Sequence, residues 1–553
     1  MVSGVAERLS SDPKDLGAFY TPSTMAQFLV EWAVRSAADR VLDPSFGGLV
    51  LLASAHRRLM ALGCSDHEAR TKLFGVEVDS GPYNAALSNE LNLPRRQLIE
   101  ADFFDVRAGA AIPRVEAVVG NPPFVRFQRF NGRAQSAHEL AENAGVRLSR
   151  LSSSWAPFVA HATDFVAPGG RMAQVLPSAL LHAHYPRDLI AFLRHRFASL
   201  VLVSFEERVF PGVQEDVVLL LADDYGRGPS RMQVRSVRRL ADARAAVETP
   251  VLADDEPAVP PDDLLLQLLP RRAAEMYRAL RLTESVAPLG RIASVDIGVV
   301  TGANKFFLLA DGEEPIVPRH LLRATISKAL HIPGATFARR DLRRLARSGA
   351  KYRLFKAPPD LDPPMRTALA PLFARGRAMG VDQGHKCRIR DKWWSVPLPS
   401  GGAPPPLLLT YCASRFPRLV VNDARVLHTN TIHGVRLLDS TMKPAAIVSS
   451  FYNSLTLLSA ELVGRSYGGG VLKLEPSEAE ALLVPREPQA LALEEVDRLV
   501  RAGDPEALVA FVDPIVLGEG LGLSAADIEL LRAAGSRLRD RRRQRARPLR
   551  RDP

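Results

Sequence analysis

Acidic residues recur at the ends of successive short apolar runs, a pattern suited to holding a nucleoside by its hydroxyl and amino groups. The first run, Val41-Leu42-Asp43, leads into Pro44-Ser45-Phe46-Gly47-Gly48 before a helical pattern from Leu49 to Leu62. Glycine permits a tight turn and lets a ligand approach the backbone, which makes Gly47 a candidate contact. The next run, Phe74-Gly75-Val76-Glu77, ends in a carboxylate that can accept both hydroxyls of a ribose. At a third, Glu100-Ala101-Asp102-Phe103, Asp102 can accept from an exocyclic amino group and Phe103 offers a ring to lie against a purine. The glycine turn lacks the G-x-G-x-x-G spacing of a pyrophosphate loop, and Asp43 would repel a diphosphate. A cationic, phosphate-free nucleoside such as S-adenosylmethionine suits the site better, with Asp43 accepting from its ammonium group.

A fourth apolar run, Val115 to Gly120, passes directly into Asn121-Pro122-Pro123-Phe124. Two consecutive prolines fix φ and remove two amide donors, so the turn is stiff and presents carbonyls. The Asn121 side-chain oxygen and the Pro122 carbonyl can both accept from one amino group and thereby make its nitrogen more nucleophilic. Phe124 can stack on the attached ring, because an aryl amine that must meet a methyl sulfonium in line has to leave a duplex stack.

These turns need a frame, and the sequence from Arg40 to about Asp224 supplies one. Short apolar runs alternate with helical-period segments, the pattern of βα units around a parallel sheet. The runs at 41–42, 73–78, 115–120, 172–176, 200–205 and 217–221 are the expected strands. Their carboxyl ends lie along one sheet edge, where open α/β folds bind ligands. Proline and acid cluster between Glu248 and Asp263, which disfavours regular structure. The expected division is a catalytic domain over 1–245, a Pro/acid-rich linker over 246–275, a second domain of mixed structure over 276–490, and a helical segment over 491–553 ending in a frayed Arg-rich tail.

Composition narrows the class. The 553 residues are 46% hydrophobic and 24% charged, a balance that builds buried cores, and carry a net charge of +11, which favours a polyanionic partner. Cys64, Cys387 and Cys412 lie far apart without Cys-x-x-Cys spacing, so neither a disulfide framework nor a zinc site is expected, and the isolated histidines, such as His56, His67, His161 and His433, show no metal-ligand spacing. No metal, no membrane span and no secretion signal are expected, and a cytoplasmic location follows.

With these motifs in view, the chain resembles the N6-adenine-specific DNA methyltransferases of restriction-modification systems, in the arrangement whose target recognition domain follows the catalytic domain. The resemblance implies a Rossmann-like methyltransferase domain followed by a mixed α/β recognition domain, S-adenosylmethionine as cofactor and double-stranded DNA as partner. Gly17 to Pro22 looks like the family's N-terminal cofactor motif, which implies that Thr21 contacts the methionine carboxylate. Asp43 to Gly48 resembles the first glycine-rich motif, Glu77 the ribose carboxylate, Asp102-Phe103 the adenine pocket, and Asn121 to Phe124 the catalytic tetrapeptide. Two departures stand in the glycine loop: Phe46 precedes Gly47-Gly48, and Leu49 occupies the usual second glycine position.

No acid-acid-Lys nuclease cluster is evident, so a cognate restriction endonuclease would be a separate protein. In the second domain, Gly298 to Lys305 and Ser466 to Lys473 resemble segments of recognition domains. Between them Lys386, Arg388, Arg390, Lys392, Trp393 and Trp394 interleave cations with aromatics, as a nucleic-acid face requires. Other readings stay open: methylation of cytosine, RNA or a protein glutamine by the same tetrapeptide, or a DNA-binding subunit without turnover.

Overall fold

The computed structural model describes residues 21–124, 134–148, 153–182, 187–209, 216–229, 231–249, 263–313, 317–467, 469–489 and 491–544. These divide into two units, one reaching to Arg271 and the other running from Arg272 to Arg543.

The first unit is built on one sheet of eight strands: β1 (Val41–Asp43), β2 (Leu73–Glu77), β3 (Leu98–Glu100), β4 (Val115–Gly120), β5 (Val166–Pro177), β6 (Phe197–Phe205), β7 (Val217–Tyr225) and β8 (Arg231–Val237). Their spatial order is β3-β2-β1-β4-β5-β7-β6-β8. Strands β3, β2, β1, β4 and β5 run parallel, and β7 enters antiparallel between β5 and β6. The chain winds outward in one direction from β1 to β3 and in the other from β4 onward. The crevice above the carboxyl ends of β1 and β4 is therefore the topological switch point, where such sheets bind ligands.

Helices α1 (Ser23–Ala33) and α2 (Val50–Ala61) cover one face of this sheet. Met25, Leu29, Leu52, Ala55 and Leu59 from these helices share one core with Ala117, Val119, Ala173 and Val175 from β4 and β5. Burial on both faces explains why these strands read as continuous apolar runs. Strand β8 was not among the expected strands, because Arg231, Gln233 and Arg235 interrupt its apolar pattern.

The second half of the expected linker is structured. Residues 250–262 lie outside the described residues, but Leu264–Leu268 form a turn of 3₁₀ helix with four buried leucines, and the helix Arg271–Arg281 follows. A run of leucines buries too much apolar surface to stay in solvent.

In the second unit, Ala293–Ile297, Ile432–Leu437, Leu407–Thr410 and Leu419–Val421 form an antiparallel sheet in that spatial order. A second small sheet packs on an aromatic core in which Trp394 stacks on Phe373 at 4.6 Å and Trp393 meets Phe306 at 5.5 Å. The interleaved basic and aromatic stripe is thus corrected: its tryptophans belong to the core. Arg390 turns inward as well, donating to the carbonyls of Val300 and Thr301 at 2.7 Å each, while Lys386 and Arg388 stay exposed.

The Arg-rich end is corrected too. Helix Ala525–Gln544 runs through it, and Arg542 is buried against Glu461, with Nε and Nη2 at 2.9 and 2.7 Å from its carboxylate oxygens. Among the described residues no single helix is long and apolar enough to cross a membrane.

Candidate active site

Strand β1 ends at Asp43 because Pro44 has no amide to continue the ladder. The Ser45 amide folds back onto Asp43 Oδ1 at 3.1 Å, and the Phe46 amide donates to the Val76 carbonyl at 3.1 Å. This tucks the Phe46 ring beneath the loop, 3% exposed, against the bare α-carbon of Gly75. A Cβ at Gly75 would come within 2.6 Å of that ring. Gly47 takes φ +47° and Leu49 takes φ +62°, both left-handed. The loop thus keeps a glycine-like bend at Leu49, with the leucine side chain buried in the core below.

Glu77, at the end of β2, receives two backbone amides: Gly47 N–H at 2.9 Å on Oε2 and Asp79 N–H at 2.9 Å on Oε1. It ties the glycine loop to the second strand end and holds its carboxylate in one orientation. Asp43 is 1% exposed, and its Oδ2 is buried without a hydrogen-bond partner among the described residues. Burial pushes its carboxyl up to about 8; the Ser45 amide pulls it back, and the nearby Glu77 charge adds to the rise. A carboxyl in this state lacks a cationic donor.

Asp102, following β3, caps the turn Phe103–Asp105 by accepting from the Phe104 amide at 3.0 Å. The Phe103 ring is placed differently from the expectation. It is 3% exposed and packed among Phe158, His161 and Phe165 at centroid distances of 4.7, 4.7 and 5.0 Å. Protein already covers it, so it braces the Asp102 turn from inside the sheet layer instead of offering a face to a ligand. An apolar surface at this edge comes from Val78, 63% exposed directly after Glu77.

Asn121 leaves β4 beside β1 and is cross-linked to two distant segments. Its Nδ2 donates to Thr21 Oγ1 at 3.2 Å, and its carbonyl accepts from Ser45 Oγ at 3.3 Å. Thr21 is buried just ahead of α1; Gly17 to Tyr20 of the same motif lie outside the described residues. Pro122 is buried, the Pro123 carbonyl accepts from Ser154 Oγ, and Phe124 is half-buried against the α1–α2 core. Thr21, Asn121, Ser45 and Asp43 therefore form one hydrogen-bonded chain along the switch point, Gly47 and Glu77 form a second beside it, and Asp102 stands at a neighbouring strand end.

Ser45, Ser154, Val78 and Gln174 were not among the residues expected at the site. Gln174 lies on β5 opposite Gly120 and is fully buried, with both amide atoms unpartnered among the described residues. A Cβ at Gly120 would meet its Oε1 at 2.7 Å. A glutamine inside the apolar run Met172 to Leu176 was the available signal.

Residues 6–190, which span every one of these strand-end groups, match the protein family described as N-6 DNA Methylase. This part of the chain is similar to the N-6 DNA methylases. Residues 263–517 of the chain match the C-terminal domain of Type II methyltransferase M.Eco57I. It is 26% identical over 485 residues to Type II methyltransferase M.XamI of Xanthomonas campestris pv. amaranthicola, covering 85% of each chain. Over 208 residues it is 23% identical to Type II methyltransferase M.HincII of Haemophilus influenzae, covering 37% of this chain and 36% of that one.

Its fold is like that of the type IIL restriction-modification enzyme MmeI, solved in complex with DNA, at TM-score 0.51 and 13% identity over 93% of this chain and 71% of that one. It is also like that of DrdV in a DNA complex, at TM-score 0.52 and 11% identity over 89% of this chain, which spans 57% of the DrdV chain. The family match and the relatives make the chain a DNA methyltransferase of the restriction-modification type, and its fold is a Rossmann-like domain followed by a mixed α/β domain.

Proposed function

We propose that this methylase transfers a methyl group from S-adenosylmethionine to the 6-amino group of an adenine turned out of duplex DNA, as the modification component of a restriction-modification system. The observation that carries the reading is the chain from Thr21 through Asn121 and Ser45 to Asp43, which ends on a buried carboxylate oxygen lacking a donor. An amino-acid ammonium supplies that donor and neutralises the charge that burial disfavours.

When bound, the cofactor supplies an electrophilic methyl group on a sulfonium. Asp43 accepts from its ammonium, Thr21 donates to its carboxylate, Glu77 accepts from the ribose hydroxyls, and Asp102 accepts from the amino group of its adenine. The Gly47 backbone lets the cofactor approach closely, and Val78 offers apolar cover.

Asn121 and the Pro122 carbonyl accept hydrogen bonds from the target amino group and turn its lone pair toward the methyl group. The two prolines keep these acceptors fixed, so little reorganisation is needed as the nitrogen becomes cationic. The proton leaves after the new bond forms, which is why no strong base is required. Phe124 stacks on the extruded base. The domain over 276–490 selects the sequence, and a separate nuclease would cut the same site when unmodified.

The test is transfer of label from S-adenosylmethionine to plasmid DNA. The expected result is label on adenine, lost in Asn121→Ala while cofactor binding and thermal unfolding are retained. Full transfer by that variant would refute the assignment.

A further inference from the structure

We infer that the helix Arg339–Arg347 in the second unit is a rail for the phosphate backbone of duplex DNA, an assignment that rests on the DNA substrate proposed above. Its sequence, Arg339-Arg340-Asp341-Leu342-Arg343-Arg344-Leu345-Ala346-Arg347, carries five arginines, and all five are exposed. At about 100° per residue they occupy one continuous arc of roughly 140°. The opposite side is committed to the fold: Leu342 and Leu345 pack against the core of Ile326, Ile332, Phe337 and Val426. No apolar face is left for a lipid surface, which an interfacial helix needs.

Among the described residues, four of these five charges are left without an ion pair. The helix's one acid, Asp341, is buried; it accepts from the Ala338 amide and from Nη1 and Nη2 of Arg501 at 2.8 and 3.1 Å. Arg340 reaches Asp497 at 3.3 Å, an acid already bonded to Arg501 at 2.7 Å. Among the described residues, no carboxylate lies within ion-pair distance of Arg339, Arg343, Arg344 or Arg347. Like charges four apart, at 339/343, 340/344 and 343/347, each weaken a helix by a few tenths of a kcal/mol. The Asp341–Arg501–Asp497 network pins the helix to Leu493–Ala502 nonetheless, and a Cβ at Gly334 would come within 2.1 Å of Asp497 Oδ1. A rigidly held row of unneutralised cations calls for an external polyanion.

The dimensions suit a nucleic-acid strand. Nine helical residues rise about 12 Å, a length over which one strand of B-DNA carries roughly three or four phosphates. Guanidinium groups pair with phosphate oxygens bidentately. The exposed arc holds no Asn, Gln, Ser or Thr, so it grips the backbone and leaves base reading to other elements.

The experiment measures affinity of the full chain for a duplex carrying its methylation site and for a scrambled duplex, at about 50 to 200 mM salt. The triple variant Arg343→Gln/Arg344→Gln/Arg347→Gln should lower the slope of log K against log salt by about 2 to 3, at ~0.9 per lost phosphate contact, and weaken both duplexes equally. Methyl transfer at saturating DNA should be unchanged, and the corresponding triple lysine variant should keep the wild-type slope. Single Arg→Gln variants, which perturb folding least, should each lower the slope by about 0.9. A steep wild-type slope left unchanged in the Gln variants would overturn this inference alone, as would weakening confined to the site-bearing duplex. A wild-type chain with no salt-dependent duplex affinity would overturn the DNA reading and this inference with it.

Discussion

Replacing Asp43 by asparagine should move stability and cofactor affinity in opposite directions. Burial raises the Asp43 carboxyl from its ordinary 3.8 to about 8. The folded chain therefore keeps this proton up to about pH 8, whereas the unfolded chain releases it near pH 4. In that interval the unfolded state binds fewer protons, so stability falls as pH rises and levels off above about 8. At ~1.4 kcal/mol per unit, the full span amounts to on the order of 5 kcal/mol. Asparagine does not titrate and retains an oxygen for the Ser45 amide. Asp43→Asn should therefore be more stable than wild type at pH 8.5 in the absence of cofactor, with the gain vanishing toward pH 4.5.

Cofactor binding should respond the other way. Losing one partner of a buried charge pair costs about 2 to 5 kcal/mol, or at least ~30-fold in affinity. In the wild type, pairing with an ammonium requires Asp43 to give up its proton, so binding at pH 7 releases roughly 0.9 proton from this group. Affinity should peak near pH 8, since the ammonium itself begins to titrate at about 7.7 to 8.0. Thermal unfolding at pH 4.5 and 8.5 reads the first effect. Calorimetric titration with S-adenosylmethionine, in buffers of differing ionisation heat, reads the second. Wild-type affinity in Asp43→Asn, or lower stability at pH 8.5, would refute the reasoning.

Further substitutions probe the frame. Gly120→Ala should destabilise by about 1 to 3 kcal/mol, because its Cβ would meet the Gln174 amide, and Gln174→Ala in the same chain should recover most of the loss in denaturant unfolding. Leu49→Gly should cost only about 1 kcal/mol, since relief of about 1 to 2 kcal/mol of left-handed strain recovers part of the lost burial. Leu49→Ala keeps the strain, loses the burial and should cost about 2 to 3 kcal/mol by the same measurement. Arg542→Ala should cost about 3 to 5 kcal/mol because it strands buried Glu461, whereas a frayed tail would show no change.

What the sequence made legible follows from where the chemistry sits. Asp43 and Glu77 close their strands, and Asp102 and Asn121 follow theirs within two residues, so the period of the apolar runs located them along with the sheet edge. The bonds that join them were not legible: Thr21 and Asn121 are 100 residues apart, and Ser45 and Asn121 are 76 apart. Only the strand order brings β1 beside β4. Phe103 misled because an aromatic after a strand-end acid packs equally well inward, here onto Phe158 and Phe165. The arginines at the C-terminal end read as solvated for want of a visible partner, since Glu461 lies 81 residues before Arg542. Phe46 and Leu49 looked like departures from a glycine loop, yet Gly75 makes room for one and the left-handed bend is held by the other.

The central claim is that the Asn-Pro-Pro-Phe turn presents the amino group of an extruded adenine for methylation. Modification-sensitive sequencing of host DNA after expression of this chain, beside the Asn121→Ala variant, tests it most directly. The account predicts N6-methyladenine at one recurring sequence with the wild type and none with the variant. Methylation on cytosine, or adenine methylation that persists in Asn121→Ala, would contradict it.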